Sequence, residues 1–350
     1  MASTSKKIAL LTFHSAKSYG AVLQTYALCT FLQNRGFNVL IINLRPPAIT
    51  GTLTWNPISW ISAIRFGNFE RKYFKYFPLK YRTVKALKEN PPIADYYIVG
   101  SDQVWNPEIT NEYQSNYFFD FVPDGKKLIS YAASFGKSNL NIEDENKRSI
   151  QKLLNRFQAI SVREASGVVI AKEIFDVEAK QVLDPTFLLS DYSCLTGCVV
   201  EKKHLVCVKF NKDQKFYETV RKMADASGLL LEILDSSHPI KGMKVIPKPS
   251  VKLWLKTIKS ASFVITDSFH GVAFCIIFQK NFIVIPANIS RFTRIENLLK
   301  ALALEDRIFY SYDEMINDKR WLENIDYQSV LLKLDKLRAA SAAFLDQALV

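Results

Sequence analysis

The sequence predicts an α/β protein with two Rossmann-like, doubly wound domains that face one another across a cleft. Short apolar runs alternate with segments whose apolar residues recur at helical spacing, which is typical of parallel sheets flanked by helices. This alternation occurs twice, on either side of a more polar segment at residues 190–203. A chain of 350 residues is also long enough for two domains. We expect domains at residues 1–195 and 196–325, and a helix at 326–350 that packs back on the first domain.

The first domain opens with a strand, a loop, a helix and a second strand. Residues 8–13 form a near-continuous apolar run, as expected for a central parallel strand, and residues 21–33 have helical spacing. The loop between them ends at Tyr19 and Gly20, and it lacks the Gly-x-Gly-x-x-Gly pattern of dinucleotide-binding domains. The following stretch, residues 46–67, contains proline and tryptophan and is predicted to be irregular.

Two further strand ends of the first domain carry polar side chains. The strand that ends at Val99 continues into Ser101 and Asp102, a turn typical of a binding site, although Ser-Asp is also a common helix N-cap. Arg163 directly follows another buried strand, where its guanidinium could hold a phosphate or a carboxylate with two hydrogen bonds. The alternative for Arg163 is an ion pair with Glu164 or another acid.

The clearest site of the second domain follows the strand at residues 263–265. Polar residues at 266–268 supply N-cap chemistry, and a helix follows. The N-terminus of such a helix offers unpaired backbone N–H groups and a partial positive charge, which suit an anion. His270, one of four histidines in the chain, lies in this turn and is the leading catalytic candidate. The alternative is a structural histidine at the start of the helix.

The net charge of +12 is concentrated in two segments. Residues 65–88 contain eight basic side chains interleaved with aromatic ones and a single acid, and residues 241–259 contain lysines without an acid. Such segments suit nucleic acid, an anionic membrane or a phosphorylated substrate. The alternative is a pair of solvated helix faces whose aromatic residues pack inward. Since no nucleic-acid-binding motif accompanies the charge, nucleic acid is not an expected partner.

The remaining composition fits a protein of the cytoplasm. No stretch has the apolar length of a membrane span, and the N-terminus lacks the pattern of a signal peptide. The five cysteines lack the spacing of a zinc site, so we expect reduced thiols and no metal.

Five motifs, in this order, resemble those of the polysaccharide pyruvyl transferase family. They are S-Y-G-A-V-L-Q-T-Y-A-L at 18–28, V-G-S-D-Q-V-W-N at 99–106, S-V-R-E-x-S at 161–166, D-P-T at 184–186 and T-D-S-F-H-G at 266–271. The resemblance covers roughly residues 7–307 and implies a fold like that of the GT-B glycosyltransferases. It also implies an enzyme that uses phosphoenolpyruvate to form a pyruvate ketal on a sugar of a capsule or exopolysaccharide precursor. No cofactor is implied beyond this co-substrate.

The resemblance also implies roles for particular residues. His270 would be the catalytic acid and base, Arg163 would bind phosphoenolpyruvate, and Asp102 would orient or deprotonate the acceptor hydroxyl. The other residues expected to border the substrates are Tyr19, Gly20, Ser101, Ser268 and Gly271. Related sequences carry an arginine where this chain has Ser268, so we expect Arg291 and Arg294 to supply the missing cation.

Two alternatives remain open at this stage. The chain could be a glycosyltransferase of the GT-B type that uses a nucleotide sugar, because one fold hosts many chemistries. It could also be a non-catalytic component of a polysaccharide assembly complex. Because acceptors of the family are often lipid-linked, we further expect peripheral contact with the inner membrane face through residues 65–88.

Overall fold

The chain divides into two compact units, each with its own parallel sheet. A computed structural model describes residues 5–50, 57–137, 139–208, 213–234, 240, 243–286 and 292–350. The first unit comprises Met1–Thr52, Asn68–Leu189 and Lys336–Val350, and the second comprises Leu53–Gly67 and Ser190–Asp335. The predicted α/β class is confirmed. The units divide after residue 189, whereas the sequence placed this boundary at 195.

The sheet of the first unit has seven strands in the order β3-β2-β1-β4-β5-β6-β7. These strands are β1 Lys7–Leu11, β2 Asn38–Leu44, β3 Tyr76–Tyr81, β4 Tyr96–Val99, β5 Lys127–Ala133, β6 Phe157–Val162 and β7 Lys180–Gln181. Neighbouring strands pair in parallel, and the order of addition reverses between β1 and β4. The apolar run in β1 is buried because this strand lies inside the sheet. In open sheets of this kind, ligands bind beyond the carboxyl ends of the strands at such a reversal.

Seven α-helices in the described part precede residue 180. They are α1 Tyr19–Asn34, α2 Pro47–Thr50, α3 Pro57–Tyr73, α4 Val84–Glu89, α5 Pro107–Thr110, α6 Asp144–Leu154 and α7 Ala165–Glu173. Helix α1 begins at Tyr19, so Tyr19 and Gly20 form its first turn and do not belong to the preceding loop. The prediction that residues 46–67 are irregular is wrong for 47–50 and 57–67, which are helical, and residues 51–56 lie outside the described part. Pro57 is the first residue of α3, a position where proline is favoured because no N–H is needed there.

The sheet of the second unit has five strands in the order β10-β9-β8-β11-β12, with its reversal between β8 and β11. The strands are β8 Lys202–Val208, β9 Leu230–Leu234, β10 Lys244–Ile246, β11 Ala261–Thr266 and β12 Asn281–Val284. The helices are α8 Ser193–Thr196, α9 Gln214–Ser227, α10 Val251–Ser260, α11 Phe269–Ile277, α12 Thr293–Leu302 and α13 Tyr312–Asn317. The strand predicted at 263–265 lies within β11, and α11 follows it after two residues.

The last helix, α14 Tyr327–Ala348, begins in the second unit and ends in the first. Within the first unit, Ser341 Oγ accepts a hydrogen bond from Leu183 N at 2.9 Å, and Arg338 Nε donates to Phe187 O at 2.7 Å. The Phe344 ring lies 6.4 Å from that of Tyr131. In the described part of the chain, no helix is long and apolar enough to cross a membrane.

A buried tryptophan connects the core of the first unit to the turn after β4. The Trp105 side chain is fully buried, its ring stacks on Phe118 at 5.1 Å, and its Nε1 donates to Tyr117 O at 3.1 Å. Asn106 caps α5 by accepting from Glu108 N at 3.0 Å. The Trp-Asn pair after the Ser-Asp turn therefore anchors that turn to the core.

Candidate active site

Both sheets carry candidate residues at the carboxyl ends of the strands beside their reversal points. In the first unit, α1 begins at Tyr19 beyond β1, and Ser101 and Asp102 follow β4. In the second unit, Ser268 and His270 follow β11. Each unit thus contributes polar residues where its own topology favours a ligand.

Buried polar side chains connect the ends of β1 and β4. Thr12 Oγ1 donates to Ser101 O at 3.0 Å, and Gln24 Nε2 donates to Thr12 Oγ1 at 2.8 Å. Ser101 N in turn donates to Gln24 Oε1 at 3.2 Å. Gln24 is fully buried and was not among the predicted site residues. The available signal was an amide within an otherwise apolar helical segment, because a buried amide must find hydrogen-bond partners.

Asp184 is the centre of a second network in the first unit. Its side chain is fully buried, and Oδ2 lies 3.0 Å from Arg163 Nη1 and 3.2 Å from Ser101 Oγ. Its other oxygen accepts from Thr186 N at 3.0 Å and from Thr186 Oγ1 at 2.8 Å. The sequence singled out the Asp-Pro-Thr motif but assigned it no role. The structure shows that its aspartate positions the Ser101 turn and Arg163 together.

Arg163 lies among three carboxylates. Its side chain is only 2% exposed, and besides Asp184 it approaches Asp102 Oδ1 at 3.6 Å and Glu164 Oε2 at 3.8 Å. Burial by itself lowers the pKa of this guanidinium, but the three carboxylates outweigh burial and leave the pKa raised. Arg163 therefore stays charged and forms the ion pairs left open as an alternative to donor binding. Its direct contact with phosphoenolpyruvate stays a prediction.

Asp102 is the most exposed acid of this network, with a side chain 16% exposed against 3% or less for Glu164 and Asp184. Its backbone has φ of +78°, and its Oδ1 accepts from Gln103 N at 2.9 Å. The preceding Gly100 has φ of +113°, and a Cβ there would lie 2.1 Å from Tyr131 O. Only glycine therefore fits at the start of this turn.

The site of the second unit is built from small polar residues. Thr266 Oγ1 donates to Val208 O at 2.7 Å and accepts from Ser268 N at 3.0 Å. Ser268 Oγ accepts from Gly271 N at 3.3 Å, which confirms the predicted N-cap. A Cβ on Gly271 would lie 2.3 Å from Thr266 Oγ1, so the helix start packs tightly on the strand end.

His270 is the second residue of α11 and is partly exposed. Its ring lies 5.2 Å from that of Phe269 at an interplanar angle of 85°. Two other histidines have different surroundings. His204 Nδ1 lies 3.2 Å from Glu232 Oε1, and the pKa of the fully buried His14 is lowered to about 3, first by burial and then by Arg45. His14 is therefore neutral at physiological pH and donates from Nδ1 to Thr12 O at 3.2 Å. His238 lies outside the described residues.

The two arginines expected to supply the missing cation are Arg291 and Arg294. Arg291 lies outside the described residues. Arg294 is the second residue of α12 and is partly exposed, and α12 packs against α11. Arg294 thus lies on the helix next to the one that carries His270.

Three further polar residues lie near the carboxyl edge of the second sheet. They are Asp213, Asp267 and Tyr312. Tyr312 OH donates to Asp213 Oδ2 at 3.2 Å. The pKa of Tyr312 is raised to about 12 by burial, then by Asp213 and, more weakly, by Asp267. This phenol therefore remains a hydrogen-bond donor near neutral pH. It was not among the predicted site residues.

The family profile described as Polysaccharide pyruvyl transferase matches residues 19–288. This range includes every described site residue discussed above except Thr12, His14, Arg294 and Tyr312. The chain belongs to the polysaccharide pyruvyl transferase family. Membership indicates a transferase of polysaccharide biosynthesis. The matched range includes both Arg163 with its carboxylate partners and the turn that carries His270. No protein in the curated collection matches the chain significantly.

Solved structures show which fold this pyruvyl transferase family member has. An alpha-glucosyltransferase in complex with UDP and a 13-mer DNA has 10% identity to this chain and a TM-score of 0.53. The alignment covers 98% of this chain and 95% of the glucosyltransferase chain. A UDP-GlcNAc 2-epimerase from Methanocaldococcus jannaschii, in complex with UDP-GlcNAc and UDP, has 13% identity and a TM-score of 0.53, covering 96% and 94%. At such identity the likeness shows the fold alone, and it confirms the GT-B-like class.

Proposed function

We propose that this protein transfers the pyruvyl group of phosphoenolpyruvate to a sugar of a cell-surface polysaccharide precursor and forms a ketal. The observation that carries the proposal is the position of His270. It is a partly exposed histidine in the first turn of α11, beside the reversal point of its sheet, within the range matched by the family. An imidazole is a side chain that can serve as a general acid or base.

Binding of the donor requires two anion sites, because phosphoenolpyruvate carries a carboxylate and a phosphate. The first-turn N–H groups of α11 suit one anionic group, since a helix N-terminus carries partial positive charge. Arg294, on the neighbouring α12, is the described cation that we assign to the other. Arg291 remains part of the proposal on sequence grounds.

The proposed reaction begins with a proton from His270 on the methylene carbon of phosphoenolpyruvate. The adjacent carbon becomes electron-poor, a sugar hydroxyl attacks it, and the hydroxyl proton passes to Asp102. The carbon–oxygen bond to phosphate then breaks, and phosphate leaves with the electron pair. A second hydroxyl attacks the same carbon and closes the ketal, and its proton passes to the released phosphate. Asp102 then loses its proton to solvent, and His270 regains one from solvent. The carboxylate of Asp102 suits this role because it is the most exposed acid of the Arg163 network.

The test measures phosphate release and product mass with phosphoenolpyruvate and a panel of nucleotide-linked and lipid-linked sugars. We expect a mass gain of one pyruvyl group coupled to phosphate release. His270→Ala should lower kcat by roughly 10²- to 10⁴-fold, the usual contribution of a general acid. His204→Ala, which changes a histidine of the same unit that pairs with Glu232, is the matched control and should keep its activity.

Three results would contradict the proposal. Phosphoenolpyruvate could fail to raise the melting temperature of the protein. A nucleotide sugar could be turned over without any effect of phosphoenolpyruvate, which would favour a glycosyltransferase. Function in polysaccharide assembly could survive His270→Ala but not removal of the charges at residues 65–88, which would favour a non-catalytic component.

The proposal includes a cytoplasmic location and a lipid-linked acceptor reached at the inner membrane face. The basic segment at residues 65–88 was expected to provide that contact. Its aromatic residues largely pack inward, since Phe66, Phe69, Phe74 and Phe77 are buried. What this segment offers to a membrane is therefore its exposed basic side chains.

A further inference from the structure

Helix α3 exposes apolar side chains where a surface helix ordinarily exposes polar ones. Trp60 is 51% exposed, Ile61 is 45% exposed and Ile64 is 58% exposed. An α-helix turns by about 100° per residue, so the exposed residues of α3 fall within an arc of about 120°. These residues are Pro57, Trp60, Ile61, Ile64, Asn68, Arg71 and Lys72. One face of the helix is thus apolar in its first half and basic in its last turn.

The rest of α3 is held by specific contacts, which fixes what the helix exposes. The Phe69 ring lies 6.0 Å from that of Tyr26. Glu70 Oε2 accepts from Arg45 Nη2 at 2.7 Å and from Tyr76 OH at 3.0 Å. Arg65 Nη1 donates to Pro247 O at 3.1 Å. Because Glu70 is the only acid of α3 and is buried, the exposed face carries no negative charge.

The chain that follows α3 adds exposed basic side chains. Lys75, Lys80, Arg82 and Lys85 are exposed, as is the apolar Leu79 at 51%. The combination of exposed tryptophan and isoleucine with neighbouring lysine and arginine is typical of helices that lie in the membrane interface. Tryptophan favours the headgroup region, and basic residues are attracted by anionic lipids.

We infer that the exposed face of α3 docks on an anionic bilayer surface. The side chains of Trp60, Ile61 and Ile64 enter the boundary between headgroups and acyl chains. Arg71 and Lys72 contact the lipid phosphates. A lipid surface fits this face because its charged side chains are all basic, and anionic lipids attract them. The inference does not depend on the reaction proposed above.

The first experiment sediments the full-length protein with vesicles at low salt. Vesicles of equal parts phosphatidylglycerol and phosphatidylcholine should bind it, and vesicles of phosphatidylcholine alone should bind it far less. Arg71→Glu with Lys72→Glu should lower partitioning by about tenfold or more. Arg221→Glu with Lys222→Glu, an exposed pair on α9 with the same charge change, is the matched control and should bind nearly as well as wild type.

The apolar contribution has its own variants. Trp60→Ser with Ile64→Ser should lower partitioning by about tenfold, because both side chains lose apolar burial in the membrane. Val200→Ser with Leu332→Ser, which also removes two exposed apolar side chains, should have little effect. All these residues are exposed, so the variants should keep the wild-type circular dichroism spectrum.

A second experiment asks which residue enters the lipid. Trp105, Trp254 and Trp321 are buried, and Trp55→Phe removes the remaining tryptophan besides Trp60. In that background, lipids brominated on their acyl chains should quench fluorescence, and Trp60→Phe should abolish the lipid-dependent quenching. Equal binding of both vesicle types, or unchanged binding by the α3 variants, would overturn the inference. A dimer in solution that the same variants convert to a monomer would also overturn it, because a second copy would then occupy this face.

Discussion

The carboxyl edges of the two sheets, which carry the candidate site residues, are held by different kinds of contact. At the edge of the first unit, Arg163 and three carboxylates contact one another with little access to solvent. At the edge of the second unit, His270 is partly exposed, and its turn is held by hydrogen bonds of Thr266 and Ser268. The first edge is thus held by buried ion pairs, and the second by hydrogen bonds among uncharged groups.

The largest expected effect is on the stability of the first unit. Arg163→Ala removes the cation that faces three acids, including the fully buried Asp184. We expect the free energy of unfolding to fall by about 3 to 5 kcal/mol, because the carboxylates lose their compensating charge. Urea unfolding of the full-length protein measures this change.

Two companion variants sharpen the comparison. His270→Ala should change the free energy of unfolding by less than about 0.5 kcal/mol, since its ring is partly exposed. Equal losses in the His270 and Arg163 variants would refute the contrast between the two edges. Arg163→Lys keeps the charge, so it tests donor binding separately. A donor ligand predicts that phosphoenolpyruvate no longer raises the melting temperature, whereas a scaffold role predicts that it still does.

The next largest effect concerns the close packing of α11 on β11. Gly271→Ala places a methyl group 2.3 Å from Thr266 Oγ1, whose hydrogen bonds to Val208 and Ser268 must then shift. We expect a loss of about 1 to 3 kcal/mol in unfolding free energy, as for other overpacked sites. Activity should fall further, because His270 moves with the helix start.

The matched control for this variant is another helical glycine. Gly67→Ala adds the same methyl group in α3, where no atom lies within 4 Å. It should leave stability unchanged or raise it by roughly 0.5 to 1 kcal/mol, because alanine favours the helix. If both variants lose the same stability, the close approach at Gly271 has no special role.

The smallest of these effects depends on pH and concerns His14. The folded state holds the pKa of His14 near 3, against an ordinary value of 6.5. Between these two pKa values the unfolded chain binds a proton at His14 and the folded chain does not. The free energy of unfolding therefore falls as the pH decreases below 6.5. The loss is about 1.4 kcal/mol per pH unit, or about 2 kcal/mol at about pH 5.

Urea unfolding at about pH 7 and about pH 5 measures this dependence. His14→Asn keeps a hydrogen-bond donor for Thr12 O but does not titrate, so its stability should fall less over this range. An unchanged dependence in the variant would show that other groups cause it. The same two measurements on His270→Ala give the comparison with a histidine of the second unit.

Local patterns in the sequence were enough to predict the turn that carries His270. A short apolar strand, N-cap residues and a following helix lie within seventeen residues of sequence, and the structure has all three, with His270 in the first turn of the helix. Glu164 follows Arg163 directly and was expected as an ion-pair partner, but the other two partners could not be predicted in the same way. Asp102 and Asp184 come from separate segments, and only the order of strands in the sheet brings them to Arg163.

Helix α3 shows a different reason why a prediction from the sequence fails. Its first residues follow a proline- and tryptophan-rich stretch, and its apolar side chains Trp60, Ile61 and Ile64 face outward. Apolar periodicity ordinarily marks the face turned to the core, so an outward apolar face gives a misleading signal. The inward aromatic residues Phe66 and Phe69 were noticed in the sequence, but their helical spacing was not used.

The path of α14 has a consequence for how the protein is made. The second unit is complete at residue 335, but the first unit includes residues 336–350. A chain emerging from the ribosome therefore carries strands β1–β7 well before Phe344 can pack against Tyr131 of β5, and Leu183 N cannot donate to Ser341 until then. The unit whose synthesis starts first is thus the last to be completed, and its apolar surface must be shielded in the interval.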